Sequence, residues 1–145
     1  MPPTVYLLEN SFGRTYVGCT IHGVERRMKQ HNGDLSGGAR QTERGRPWSL
    51  YCTISGFRTR QESLQFEYAW RRVHRHQRPR PSYNVDGRLK SLHVLMAKER
   101  WSRNAPLAKD VPLSILYAKN MQVQSNEQTT IQSSESQGIL KGENS

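Results

Sequence analysis

The stretch Thr4–Cys19 reads TVYLLENSFGRTYVGC. Thr4–Glu9 (TVYLLE) is apolar and made of residues that suit a pleated, half-buried strand, and Thr15–Cys19 (TYVGC) has the same character. Between them, Asn10–Arg14 (NSFGR) is a turn cluster with a glycine. Two short strands around such a turn predict a β-hairpin. Side chains alternate between the faces of a strand, so Tyr16 and Gly18 share one face. If the register sets Tyr6 opposite Tyr16, two phenols flank a hollow floored by Gly18. On composition alone, both tyrosines are equally ordinary strand residues.

The signals continue outward from the hairpin. Val24 and Met28 lie four apart, and Asn32-Gly33 follows, which predicts a short helix over Val24–His31. Arg27 and His31 then share a helix face. A guanidinium with fixed charge and an imidazole that gives a hydrogen bond or a proton together suit a phosphate. The neighbouring Arg26 equally fits a solvated basic helix. Asp34–Arg46 reads as a Gly- and Arg-rich loop, and Pro47–Ser55 as a third strand closed by Gly56. Thr59-Arg60-Gln61-Glu62 fits a capping box and opens a helix from Arg60 to about His74, with Phe66, Ala69, Trp70 and Val73 as its apolar stripe. Glu67 lies one step off that stripe, at the edge of the buried face. A carboxylate there could hold a hard divalent cation with waters completing the shell, or pair with Arg71 at i+4.

Leu89–Met96 predicts another helix and Leu113–Ala118 a last strand. This order of short elements is an α+β domain, with a central antiparallel three-stranded sheet flanked by helices. The expected division is 1–85 for the domain proper, 86–119 for a helical extension packed on it, and 120–145 for a disordered tail rich in Gln, Ser, Asn and Thr.

The chain has 145 residues, about one domain's worth. Its 22 basic and 12 acidic residues leave a net charge of +10. The segment Gln122–Ser145 holds one Lys and three Glu, so residues 1–121 carry 21 basic against 9 acidic groups, or +12. Such a charge points to a polyanion, and nucleic acid is the common one. There is no apolar run of membrane-spanning length. Met1-Pro2-Pro3-Thr4 runs straight into a strand, so no signal peptide is expected. Cys19 and Cys52 make neither a C-x-x-C nor a zinc site, and read as thiols of a reducing intracellular compartment.

Arg71, Arg72, Arg75, Arg78 and Arg80, with His74 and His76, crowd ten positions. Arg40, Arg44, Arg46, Arg58 and Arg60 form a second group. Arginine forks match phosphate oxygens. The candidate DNA track is Arg26, Arg40, Arg44, Arg46, Arg71, Arg72 and Arg75, since phosphate contacts suffice to read shape. The run RRVHRHQRPR also suits nuclear import, so a nuclear location is expected. Two tyrosines, an arginine, a histidine and a glutamate in so basic a domain are the parts for phosphodiester hydrolysis. Water must attack phosphorus, a base must take its proton, and cations must absorb charge.

Val5-Tyr6-Leu7, Tyr16-Val17-Gly18, Arg27, His31 and a helical Glu67 resemble the GIY-YIG endonuclease superfamily. QHNGDLSGGA (Gln30–Ala39), RPWSL (Arg46–Leu50), Gly56-Phe57 and LQFEYAW (Leu64–Trp70) are similar to its Slx-type branch, the catalytic subunit of a eukaryotic structure-specific endonuclease. The likeness runs from Thr4 to about Ala118. It implies a metal-dependent endonuclease that nicks flaps, forks and Holliday junctions. It implies Tyr16 as general base, Tyr6 positioning the attacking water, Arg27 stabilising the transition state, and His31 bonding a phenol or a phosphate. Glu67 would be the sole protein ligand of one Mg²⁺ or Mn²⁺. Thr4 stands where the family has glycine, and Arg40-Gln41-Thr42 where it has Trp-Arg-Thr. The chain is also one residue longer between Thr20 and the arginine pair. Two cysteines cannot build the family's RING finger, so the protein is expected either to act alone or to pair differently with a scaffold or regulatory protein. The alternative reading is a non-catalytic module that binds branched DNA.

Overall fold

The computed structural model describes residues 2–120. The hairpin forms from β1 (Thr4–Glu9) and β2 (Thr15–Thr20). Asn10 holds its turn: the side-chain Oδ1 accepts from the N–H of Phe12 at 3.1 Å and of Arg14 at 2.9 Å, the local bonding that makes asparagine a turn residue. The register sets Tyr6 opposite Gly18 and Tyr16 opposite Leu8. The two tyrosines are therefore staggered on one face, not opposed as the sequence reading supposed.

β3 (Ser49–Ser55) pairs with the other side of β1, with a bulge between Leu7 and Leu8. β4 (Ser114–Tyr117) pairs with β3. The antiparallel sheet is thus four-stranded, in the order β2-β1-β3-β4, one strand wider than expected. The added strand is the segment read as a last strand, whose pairing partner no local pattern specifies.

Helices α1 (Val24–His31), α2 (Arg40–Glu43), α3 (Arg60–Arg72) and α4 (Val85–Met96) accompany the sheet. The short α2 lies inside the segment read as loop. α3 begins where the capping residues predict, with Thr59 Oγ1 accepting from the Glu62 N–H at 3.2 Å. The Glu62 carboxylate reaches back one residue beyond the usual box, to the Arg58 N–H at 2.8 Å. α3 gives way after Arg72 to a 3₁₀ turn over Val73–His76, short of the predicted end.

The alternation of β1 divides the interior in two. Val5 and Leu7 join Val17, Ile54, Phe66, Trp70, Leu92 and Leu95 in the main core. Tyr6 and Leu8 turn the other way, toward Trp48, Val24 and Met28. Each large side chain fully buried here contributes roughly 1.5–3 kcal/mol by removal from water. Leu92 and Leu95 of α4 share the core of Phe66 and Trp70, so the segment expected as an extension helps to close the same interior. The expected tail falls, beyond Asn120, outside the described residues. Among the described residues, no helix is long and apolar enough to cross a membrane.

Candidate active site

Gly18 explains where Tyr6 goes. It is the cross-strand partner of Tyr6, and a Cβ built there would overlap the Tyr6 ring. The ring lies over the bare backbone and is 0% exposed. The hollow expected above Gly18 is filled by Tyr6 itself. The ring carries its hydroxyl to α1, where His31 Nε2 lies 2.7 Å away and Arg27 Nε 3.3 Å away.

The directions of these hydrogen bonds follow from their far end. The Thr42 hydroxyl donates to the Ala39 carbonyl at 2.7 Å, so it accepts from His31 Nδ1–H at 3.0 Å. In the neutral ring, Nε2 is then the bare nitrogen, and the Tyr6 O–H donates to it. Arg27 Nε–H in turn donates to the Tyr6 oxygen. Burial keeps the ring neutral: it pushes His31 down to about 4, with Arg27 and Arg46 adding repulsion. Burial also pushes Tyr6 up to about 12, against the opposing pull of Arg27. A one-way chain runs from Arg27 through Tyr6 and His31 to Thr42.

Arg27 is held at a second point. Its Nη1 donates to Gln30 Oε1 at 2.6 Å and to the Gly37 carbonyl at 3.2 Å. Arg46 Nε donates to the His31 carbonyl at 2.6 Å. His31 is 0% exposed, so of the two partners expected for it, phenol or phosphate, the structure places it on the phenol.

Tyr16 is the accessible phenol. It is half-buried, its ring centroid lies 4.9 Å from that of His31, and Arg71 sits over it at 4.9 Å. Among the described residues its hydroxyl makes no hydrogen bond.

Glu67 arrives from α3, past the free edge of the sheet. β2 is an edge strand, and its Val17 carbonyl accepts from Arg71 Nε at 2.9 Å and from a second N–H of the same guanidinium. Arg71 is also 3.3 Å from Glu67, so the expected i+4 pair forms and is tied to the strand. Burial pushes the Glu67 carboxyl above its usual range, while Arg71, Arg27 and Arg72 pull it back. The same Arg71 sits over the Tyr16 ring, so Glu67 and Tyr16 share a neighbour.

The donor set fits one kind of metal. Among the described residues, no three His, Cys, Asp or Glu side chains cluster. A protein cage is therefore not built. A mostly desolvated carboxylate, 17% exposed and with one ion pair, suits an ion that keeps its waters and accepts substrate phosphate oxygens, as Mg²⁺ does.

The remaining expected DNA contacts divide. Arg26, Arg40, Arg44, Arg46 and Arg75 are exposed. Arg71 and Arg72 are half-buried, and Arg72 stacks on Tyr68 at 3.5 Å. Sequence reasoning missed Thr42 and Gln30 as orienting groups. Gln30 was within reach of the i+3 rule. Thr42 carried no signal, because only the folded loop brings it under His31.

The sequence profile described as the GIY-YIG catalytic domain matches residues 2–80. Among curated proteins, structure-specific endonuclease subunit slx1 of Botryotinia fuckeliana is 36% identical over 121 residues, covering 68% of this chain and 28% of the relative. The subunit of the same name from Schizosaccharomyces pombe is 42% identical over 72 residues, covering 47% of this chain and 26% of the relative. The SLX1 homolog of Leishmania infantum is 48% identical over 59 residues, covering 40% of this chain and 8% of the relative. The chain thus spans a third or less of the length of these relatives.

Proposed function

The chain belongs to the GIY-YIG family of nuclease catalytic domains, and from that premise we propose that it is a metal-dependent structure-specific endonuclease acting on branched DNA. Its substrates on this reading are flaps, forks and Holliday junctions. The similarity to proteins named as structure-specific endonuclease subunits supports that class. The observation that carries the reading is the one-way hydrogen-bond chain Arg27–Tyr6–His31–Thr42, with Tyr16 against His31 and Arg71 joining Tyr16 to the Glu67 carboxylate.

Each residue has a task that follows from its exposure. Among the described residues the Tyr16 hydroxyl has no hydrogen-bond partner, and as the phenolate it takes the proton of the attacking water and becomes the phenol. Tyr6 is sealed from solvent, so it positions Arg27 and His31 and does not touch the water. Arg27, fixed by Tyr6, Gln30 and Gly37, faces charge developing on the phosphoryl oxygens without having to reorganise. Neutral His31 holds the Tyr6 hydroxyl in one orientation. Glu67 would hold Mg²⁺ or Mn²⁺, which when bound supplies charge stabilisation at phosphate and leaving-group oxygens. The exposed arginines Arg26, Arg40, Arg44, Arg46 and Arg75 supply backbone contacts, with Arg71 and Arg72 at the site's edge. Residues 1–85 carry all the reacting groups on this reading, and 86–119 close the fold behind them. A nuclear location belongs to the same proposal, supported by the exposed Arg75, Arg78 and Arg80.

The test is nicking of labelled flap, fork and four-way junctions in Mg²⁺ or Mn²⁺. Wild type nicks them, while Glu67→Gln and Arg27→Ala bind but do not cut. If both variants cut at the wild-type rate, the site is misassigned. Binding by wild type without cutting in either metal would instead favour the non-catalytic module.

A further inference from the structure

A cleft of about 300 Å³ opens beside Tyr16. Thr15, Tyr16, Arg71, Arg72, Arg75 and Arg88 line it, and no acidic residue does. Among the described residues, the ion pairs involve none of Arg72, Arg75 and Arg88.

Arg88 is the informative member. It comes from α4 and is half-buried. The Thr15 hydroxyl donates to the Tyr83 carbonyl, so its oxygen accepts from Arg88 Nε at 3.0 Å. The guanidinium sits 5.2 Å from the centre of the Tyr83 ring. Among the described residues, its two terminal nitrogens have no acceptor. Burial pulls this guanidinium below its usual range, with Arg71 adding to the effect.

The back wall is a hydrogen-bonded pair. The Tyr83 hydroxyl lies 2.5 Å from His74 Nε2. His74 is 6% exposed and lines the same cleft. A half-buried cation without a carboxylate is costly unless something anionic answers it. Several guanidinium donors converging on one hollow match the oxygens of a phosphate.

We propose that this cleft seats one backbone phosphate of the DNA strand being cut, next to the reacting one, with Arg88 and Arg75 as its ligands and the Tyr83–His74 pair as its wall. The inference rests on the nuclease reading above. Tyr16 and Arg71 border both the cleft and the candidate site, so a phosphate held here sets which neighbouring bond lies at Tyr16. The cleft is then the register stop of the strand.

The test replaces single phosphates around the cut in a flap duplex by neutral methylphosphonates, one position at a time. One position flanking the cut should slow wild type about tenfold, the size of one lost charge-assisted contact. The same substitution should slow Arg88→Gln no further. Arg75→Gln, on an exposed side chain, should show weaker masking at the same position and guards against poor folding of the Arg88 variant. Equal sensitivity of wild type and both variants at every position overturns the cleft and leaves the nuclease reading standing. If the chain binds these duplexes without nicking them, the substitutions are read on affinity. Masking at one phosphate supports the cleft there, and no masked position overturns it.

Discussion

Lowering the pH from 7 to 4 probes the interior of the site without substrate. His31 is 0% exposed and both its ring nitrogens are engaged, by Tyr6 and by Thr42. Burial first, and Arg27 and Arg46 after it, push its pKa from 6.5 to about 4. Between those values the unfolded chain takes up a proton that the folded chain refuses. The contribution is therefore complete above pH 6.5, falls as the solution is acidified, and is gone near pH 4. At about 1.4 kcal/mol per pKa unit, the loss approaches 3 kcal/mol. That is a large share of a typical stability of about 5–15 kcal/mol. The assay is urea unfolding, followed by tryptophan fluorescence at stepped pH, of wild type and His31→Gln. Glutamine keeps a donor and an acceptor but does not titrate. His74, whose pKa burial also lowers, and the carboxylates act alike in both proteins. The advantage of wild type over the variant should hold steady above pH 6.5 and shrink by about 3 kcal/mol toward pH 4. Parallel curves for the two proteins would refute a buried, neutral His31.

Three further changes test the scaffold. Gly18→Ala puts a methyl into the Tyr6 ring, so urea unfolding should show a loss of about 1–3 kcal/mol, with the His31 ring resonances shifted as the Tyr6 hydroxyl moves. Asn10→Ala removes the acceptor of two turn N–H groups and a 3.0 Å bond to the Gly45 carbonyl. Its denaturation midpoint should fall by the equivalent of about 1–3 kcal/mol. Thr59→Ala removes the cap of α3 and should cost about 1 kcal/mol in the same measurement, with α-helical circular dichroism preserved.

What the sequence discloses here is local. The hairpin announces itself through Asn10 and Gly13 between two β-rich runs, and α3 through Thr59, Glu62 and a clear apolar stripe. Glu67 could be placed at the edge of the buried face because helical spacing alone puts it there. The pairing of Arg27 with His31 followed from the same geometry. Their environment did not, since His31 is sealed only when the segment around Thr42 folds back beneath it. The hairpin register depends on a tertiary fact, the Tyr6 ring lying over Gly18. The tie from Arg71 to the Val17 carbonyl spans 54 positions, and no periodicity encodes it. The fourth strand was visible as a strand, but its partner β3 was not. Nor did the basic run show that Arg88, outside it, would be a half-buried cation with no carboxylate partner among the described residues.

The account turns on which phenol meets the water, and Tyr16→Phe asks this most directly. The measurement is single-turnover nicking of a labelled flap duplex in Mg²⁺ or Mn²⁺, with affinity for the same duplex measured in parallel. The account predicts unchanged affinity and no nicking by Tyr16→Phe. Nicking by that variant at the wild-type rate would contradict it.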